Sequence, residues 1–258
     1  MKNKVCVVTG SSRGLGEGIA VAFAKAGAEA VVVTYASDQA GAESTVADVE
    51  KAGAKALVQK FEVTDRSSIQ ACYAATVDAF GTIDVLVNNA GINKQGFMPD
   101  VTEADWDEIM DVNLKGPFIC SQEVFPIMKK HQSGRIINIG SVSGLYGGPK
   151  TIHYAVSKAG LVTMTQVFAR YGAEHNIHVN AIAPGIIETD LTRDELRSGG
   201  GGVVVEMTLL KRPGQVEDVS STAVFLASNS QNYMTGQTIS PNGERLLHEV
   251  AARSCHIR

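Results

Sequence analysis

Tyr154 and Lys158 stand four residues apart in Tyr154-Ala155-Val156-Ser157-Lys158. On a helix that spacing puts both side chains on one face. An ammonium beside a phenol favours the phenolate and lowers the tyrosine pKa from its ordinary value near ~10. A tyrosine poised in this way can hand a proton to a carbonyl oxygen as hydride reaches the carbon, or run the reverse. Ser141, directly after the apolar run Arg135 to Gly140, adds a hydroxyl at a strand's end. Taken alone, a Tyr–Lys pair at this spacing is common on helices, so the rest of the chain has to decide.

Hydride chemistry needs a carrier, and the first thirty residues offer a place for one. Val5-Cys6-Val7-Val8 runs into Thr9-Gly10-Ser11-Ser12-Arg13-Gly14-Leu15-Gly16 and then into a helical pattern. A glycine-rich turn at a helix N-terminus presents unpaired N–H groups and the positive end of the helix dipole, which suits a pyrophosphate. A purely structural turn is the alternative, and the position after the first strand favours the binding reading. The second strand ends Val31-Val32-Val33-Thr34-Tyr35-Ala36-Ser37, with no acid to hold a ribose 2′-hydroxyl. Arg13 offers a guanidinium fork for a 2′-phosphate, if it is not simply a solvated loop charge. NADP(H) is therefore favoured over NAD(H). Asn88-Asn89-Ala90-Gly91, after a later strand, suits close approach to a cofactor, although an ordinary turn would read the same way.

These residues need a frame, and the hydrophobic pattern supplies one. Short apolar runs occur at Val5–Val8, Ala30–Val33, Ala56–Val58, Val85–Val87, Ile136–Ile139 and His178–Ile182, with Ile239 marking a final strand. Runs this apolar suit a parallel sheet covered on both faces. The intervening stretches have helical period, as in Ile19, Ala22, Phe23 and Ala26. Strict alternation implies right-handed βαβ units and a doubly wound sheet. No repeat or charged linker divides the chain, so residues 1–258 are expected to form one domain. Residues 185–214 lack a clean period and contain Gly199-Gly200-Gly201-Gly202, which is costly to order. They read as a flexible substrate-loop segment, either a plain surface loop or a lid over the substrate.

In order and spacing, TGSSRGLG, NNAG, Asn113, Ser141, YAVSK and Pro184-Gly185 resemble the short-chain dehydrogenase/reductase family, from Lys4 to about Gly243. Residues 134–141 and 183–190 look most like those of 3-oxoacyl-carrier-protein reductases. The resemblance implies an α/β fold of three layers, a doubly wound Rossmann fold with a mostly parallel seven-stranded sheet. It implies an NADP(H)-dependent oxidoreductase working between a ketone and a secondary alcohol. Tyr154 would be the general acid/base, and Lys158 would bind the nicotinamide ribose and lower the tyrosine pKa. Ser141 would hydrogen-bond the substrate oxygen, and Asn113 would hold a water that relays protons to Lys158. Gly10, Ser12, Arg13, Gly14, Leu15 and Gly16 would cradle the phosphates, with Thr34, Tyr35, Ala36 and Ser37 at the ribose end. Glu62 and Val63, with Asn89, Ala90 and Gly91, would flank the adenine side. Pro184, Gly185, Ile187 and Thr189 would lie along the nicotinamide.

A 3-oxoacyl thioester, carrier-bound or free, is the leading substrate class, and a small ketone, sugar or polyol is the alternative. A nucleotide-sensing protein without catalysis is the rival of another class, and the intact Ser141–Tyr154–Lys158 set argues against it. The family commonly has Asp-Val after the third strand, where this chain has Glu62-Val63. The family often ends near a Gly-Gly pair, where this chain has Pro241-Asn242-Gly243-Glu244 and continues to Arg258. Carrier-protein reductases dock an acidic partner on basic residues near the cleft, for which Lys129, Lys130, His131 and His175 are the candidates. His153 is a weaker pocket candidate, and Trp106 reads as a packing anchor. The resemblance also implies a homotetramer built on the helices around 102–131 and 152–175.

Composition sets outer bounds. A net charge of −4 gives no electrostatic case for nucleic acid or an anionic membrane. Cys6, Cys72, Cys120 and Cys255 form no CxxC pair, so no metal site is expected. No apolar run reaches membrane-span length and no signal-peptide pattern precedes the first strand, which makes the cytoplasm the expected compartment.

Overall fold

The structure is a computed structural model that describes residues 1–147, 150–189, 192–193, 196, 205 and 208–243. Seven strands form one sheet: β1 (Val5–Val8), β2 (Ala30–Tyr35), β3 (Lys55–Lys60), β4 (Val85–Asn88), β5 (Gly134–Ile139), β6 (Ile177–Ile182) and β7 (Thr238–Ile239). The order is β3-β2-β1-β4-β5-β6-β7 and every neighbouring pair is parallel. The expected alternation and strand positions are all present, and the sheet is wholly parallel.

The strands are apolar throughout because both faces are covered. Successive side chains alternate in direction along a strand. Cys6 and Val8 of β1 therefore pack with Ile19 and Phe23 of α1 (Gly14–Lys25) and with Val219 and Leu226 of α8 (Val216–Ala227). Val7, between them, faces the other layer, with Ile69 of α3 (Arg66–Phe80) and Val124 of α5 (Gly116–His131). Helix α2 (Gln39–Lys51) completes the first layer and α7 (Ile152–Ala173) the second. Cys6, Cys72 and Cys120 are buried free thiols.

Topology places the site. From β1 the chain winds outward through β2 and β3, then crosses back to β4 on the other side of β1. The loops leaving the carboxyl ends of β1 and β4 diverge at that switch, and a crevice opens between them. The glycine loop follows β1 and Asn89-Ala90-Gly91 follows β4. Helix α4 (Glu103–Met110) meets α5 through a π turn, Asp111–Lys115, which the sequence did not suggest. Such a turn carries one residue more than an α turn and is frequent at functional sites. Here it contains Asn113, which is fully buried.

The tetraglycine run, and the part of the chain after Gly243, lie outside the described residues. No helix among the described residues is long and apolar enough to cross a membrane.

Candidate active site

The glycine loop is held by its neighbours before any ligand is considered. Thr9 is buried, and its hydroxyl accepts from the N–H groups of Asn89 and Ala90, each at 2.9 Å. The Asn89 amide returns two bonds, to the carbonyls of Thr9 at 2.9 Å and Gly10 at 3.0 Å. These four contacts lock the loops after β1 and β4 together across the switch point. Thr34 is fully buried, and its hydroxyl accepts from Gly10 N–H and donates to the Val8 carbonyl. The Ser11 hydroxyl accepts from Thr34 N–H and donates to the same Val8 carbonyl. Thr34 therefore shapes the loop from behind, while Tyr35, Ala36 and Ser37 continue outward, the last two exposed.

The loop ends where α1 begins. Gly14 has φ +62, the left-handed region that favours glycine, and among the described residues a methyl there would touch Thr189, at 3.9 Å. Thr189 therefore packs beside the N-terminus of α1. Arg13 sits exposed at the N-cap with no side-chain capping bond. Asp38, the first acid after β2, caps α2 through Gly41 N–H at 3.0 Å. Val63 is buried against Gly116, whereas Glu62 is exposed and accepts from its own turn at Thr64.

Three elements bring the reactive side chains together. Ser141 follows β5 and accepts from Ser143 N–H at 3.1 Å. The short helix α6 (Ser143–Tyr146) lies directly on α7, because Gly144 has no side chain where a methyl would come within 2.6 Å of the Lys158 backbone. Tyr154 and Lys158 share one face of α7, the Lys158 ammonium lying 5.6 Å from the Tyr154 ring centre. Asn113 enters from the π turn. Its amide accepts from Ile92 N–H and donates to the Ile92 carbonyl, both at 2.8 Å. It also reaches Ser157 Oγ at 3.4 Å, and Ser157 in turn donates to the Tyr154 carbonyl at 2.7 Å. A methyl on Gly91 would fall 3.1 Å from Asn113 Oδ1 and 3.5 Å from Lys158 Nζ, so glycine keeps the space before both groups open.

The electrostatics differ from the expectation that Lys158 lowers the tyrosine. Burial pushes the Tyr154 phenol up, and a hydrogen bond with Ser141 pulls it only partly back. Lys158 is itself buried and is pushed down to about 8 by loss of solvent. Its ammonium donates to the Ile139 carbonyl at 2.8 Å rather than to the phenol. Desolvation of both groups outweighs their mutual interaction.

Beyond β6, Pro184 accepts from Val142 N–H at 3.0 Å and Gly185 donates to Pro241. Ile187 is buried and bridges to Gly214, and Thr189 is tied to Thr192. Asn113, Ser141, Tyr154 and Lys158 are thus brought together, and the glycine loop, Asn89 to Gly91 and residues 184–189 lie at the same carboxyl edge of the sheet, whereas Thr34 and Glu62 are turned to their own neighbours. His153 is buried, and its ring accepts from Tyr154 N–H, which fits packing rather than a pocket. Trp106 is half-buried on α4. Thr9, Ser11 and Ser157 are the residues that sequence reasoning missed. Thr9 had a signal, its place between strand and glycine loop. No group of His, Cys, Asp or Glu among the described residues could hold a metal ion.

One expectation is corrected. Lys129, Lys130 and His131 end α5 just before β5 begins, and His175 just precedes β6. They lie at the amino edge of the sheet, whereas Ser141 follows the carboxyl end of β5. Six residues of strand at ~3.3 Å each separate the two edges by about 20 Å within one chain. The C-terminal ends of α5 and α7 run away from the cleft, which sequence adjacency to β5 and β6 did not reveal.

Residues 4–198 match the profile of the short chain dehydrogenases. The chain belongs to that family. This dehydrogenase is 40% identical over 244 residues to a 3-oxoacyl-(acyl-carrier-protein) reductase of Staphylococcus epidermidis, covering 93% of this chain and 98% of the relative. A reductase of the same name from Thermotoga maritima is 39% identical, with 94% and 98% covered. A solved structure described as a short-chain alcohol dehydrogenase of Sinorhizobium meliloti superposes with a TM-score of 0.90 at 38% identity, covering 94% of this chain and 96% of that one. Another, described as a gluconate dehydrogenase of Agrobacterium tumefaciens, gives 0.89 at 33%, covering 94% and 95%.

Proposed function

We propose that this oxidoreductase is an NADP(H)-dependent ketone reductase whose leading substrate class is a 3-oxoacyl thioester. The observation that carries the reading is that Asn113 and Lys158 meet before Gly91, with the Tyr154 ring beside Lys158 and its phenol hydrogen-bonded with Ser141. The near full-length similarity to 3-oxoacyl-carrier-protein reductases supports the substrate class. A carrier-bound thioester is the natural form of such a substrate.

The residues fit a nicotinamide dinucleotide. Gly14 stands at a helix N-terminus with Thr189 beside it, and the unpaired N–H groups of that terminus suit the pyrophosphate. Arg13 is exposed at that terminus, and the nearest carboxylate after β2, that of Asp38, is engaged in capping α2. Both favour a 2′-phosphate. Gly10, Ser12, Leu15 and Gly16 complete the phosphate loop in this proposal. Tyr35, Ala36 and Ser37 lie at the ribose end, Asn89, Ala90 and Val63 toward the adenine, and Pro184, Gly185 and Ile187 toward the nicotinamide. When bound, the nicotinamide supplies the hydride or takes it up. Tyr154 gives its proton to the carbonyl oxygen, and Ser141 donates a hydrogen bond to the same atom. Lys158 holds the ribose hydroxyls and passes a proton onward. Asn113 positions the relay, helped by Pro117, which has no N–H to give to the Asn113 carbonyl four residues earlier.

A second reading has its own support. The likeness to the structure described as a gluconate dehydrogenase favours a small polyol or ketone handled by the same residues. Turnover of NADPH against a short 3-oxoacyl thioester, a diketone and a keto sugar separates the two. The thioester is expected to give the highest kcat/KM. A preference for the sugar would overturn the leading substrate, and no turnover with any of them would return the chain to a nucleotide sensor.

Self-association belongs to the same proposal. Phe118, Val156, Val167 and Tyr171 are exposed on α5 and α7, and Phe118 stacks on Phe168 at 6.1 Å. Such a face suits burial against another copy, and the expected state is a homotetramer, measurable by light scattering. One domain spanning 1–258 in a reducing, cytoplasmic setting completes the proposal.

A further inference from the structure

Glu17 stands in the first turn of α1 and is the only acid there. Its carboxylate turns back and accepts from Gly14 N–H at 3.1 Å. Asp38 precedes α2 and Asp65 precedes α3, and each caps its helix from outside by accepting from a first-turn N–H. At α1 the N-cap is Arg13, which makes no capping bond, and the acid comes from inside the helix instead. The proposed cofactor site places its pyrophosphate at this same helix N-terminus, beside Thr189.

We propose that Glu17 is an internal anion that competes with the cofactor's pyrophosphate for the N-terminus of α1 and so sets cofactor affinity. The inference rests on the proposed dinucleotide site. A carboxylate held by Gly14 N–H satisfies one of the unpaired donors of the helix and complements its dipole. A pyrophosphate seeks the same donors and the same positive end. The two anions cannot both sit within hydrogen-bond reach of Gly14 without repulsion, and this repulsion is strongest where solvent is thin. Glu17 must therefore withdraw from Gly14 as the phosphates arrive, or remain and weaken them. Either way it stabilises the free chain at the expense of the bound one. This makes Glu17 a determinant of cofactor affinity, outside the residues that make the proton transfer.

The experiment compares wild type with Glu17→Gln, which keeps the size and an acceptor oxygen but loses the charge, and with Glu17→Asp, which keeps the charge. Dissociation constants are measured by titration for NADPH, for ADP as a phosphate-bearing fragment and for adenosine as a phosphate-free one. A single carboxylate at a helix N-terminus, at such range, corresponds to an effect of about three- to tenfold. Glu17→Gln is expected to bind NADPH and ADP tighter by that factor at low salt, with adenosine unchanged. The gain should shrink as salt is raised, because the effect is screened. Glu17→Asp should keep the weaker, wild-type-like affinity. The thermal midpoint of free Glu17→Gln should not exceed that of wild type, although its shift on adding NADPH should be larger. A purely structural glutamate would lower both stability and affinity on substitution. Equal or weaker NADPH binding by Glu17→Gln at low salt overturns this inference alone. Failure of wild type to bind either NADPH or ADP overturns the proposed cofactor site with it.

Discussion

The Lys158 ammonium is buried in α7, donates to the Ile139 carbonyl at 2.8 Å and lies 5.6 Å from the Tyr154 ring centre. Burial holds its pKa down to about 8, well under the ordinary lysine value of 10.5. A lysine in this position is costly for the fold and useful only when something arrives to share its charge. Among the described residues the Ile139 carbonyl accepts its hydrogen bond.

That cost can be measured. The folded pKa lies below the unfolded one, so the folded state binds fewer protons between the two. Stability should rise as pH climbs from about 8 toward 10.5. At pH 7 the penalty is fully present, at about 3 kcal/mol for a shift of this size. Lys158→Met removes the charge and keeps the bulk, so the free variant is expected to melt higher by roughly 6–12 °C while losing turnover. A lower melting point in calorimetry at pH 7 would show that the ammonium is a net stabiliser.

The same titration should appear in catalysis. The Tyr154 phenol is raised by burial and stays protonated through neutral pH, ready to act as the acid for carbonyl reduction. The kcat/KM profile reports groups of the free enzyme. For ketone reduction it is expected to fall as pH rises through about 8, where Lys158 loses its proton. Lys158→Arg should move that limb upward, since a guanidinium stays charged. A profile flat from pH 6 to ~9.5 would disconnect Lys158 from the step.

Much of this frame was legible in the sequence because a parallel sheet covered on both faces leaves unbroken runs such as Val5–Val8 and Ala30–Val33. Short apolar runs between helix-length gaps have few other solutions. Ser141, Tyr154 and Lys158 could be assembled on paper because two are four residues apart on one helix and the third ends a strand. What stayed hidden depends on direction and competition. The hydroxyl of Thr34 turns inward to Gly10, although Thr34 lies near the end of the strand where a ribose contact was expected. Lys129 and His175 sit beside the right strands but at their wrong ends. The π turn around Asn113 has only Pro117 as its trace, and nothing in the pattern marks an extra residue in a turn. The predicted lowering of the Tyr154 pKa failed because adjacency of charge was legible and loss of solvent was not.

Cofactor choice tests the β2 end of the site. Arg13 is exposed at the N-cap of α1, and Asp38 is engaged with Gly41. NADPH is expected to give a higher kcat/KM than NADH. Arg13→Ala should remove most of that preference, by about tenfold or more, through loss of a charge-assisted contact. Wild-type kinetics favouring NADH would reverse the assignment.

Tyr154→Phe tests the chemistry itself. The substitution removes one hydroxyl from a half-buried ring, and the other anchors of the site, Lys158 on Ile139 and Asn113 on Ile92, do not pass through that oxygen. The fold and the affinity for NADPH should therefore be preserved. Without the phenol, the carbonyl oxygen would gather negative charge with only Ser141 to meet it, and no proton would arrive in the transition state. General acid catalysis is commonly worth ~10²–10⁴-fold, so kcat should drop by that order with the NADPH dissociation constant nearly unchanged. Ser141→Ala should lower kcat as well, but by less, because the proton donor remains. The ordering of the two variants is the informative part. If Ser141→Ala proves the more damaging, the proton comes by way of the serine and Tyr154 only orients it. If Tyr154→Phe keeps the wild-type rate under conditions where chemistry limits turnover, the reaction runs through some other donor in the crevice.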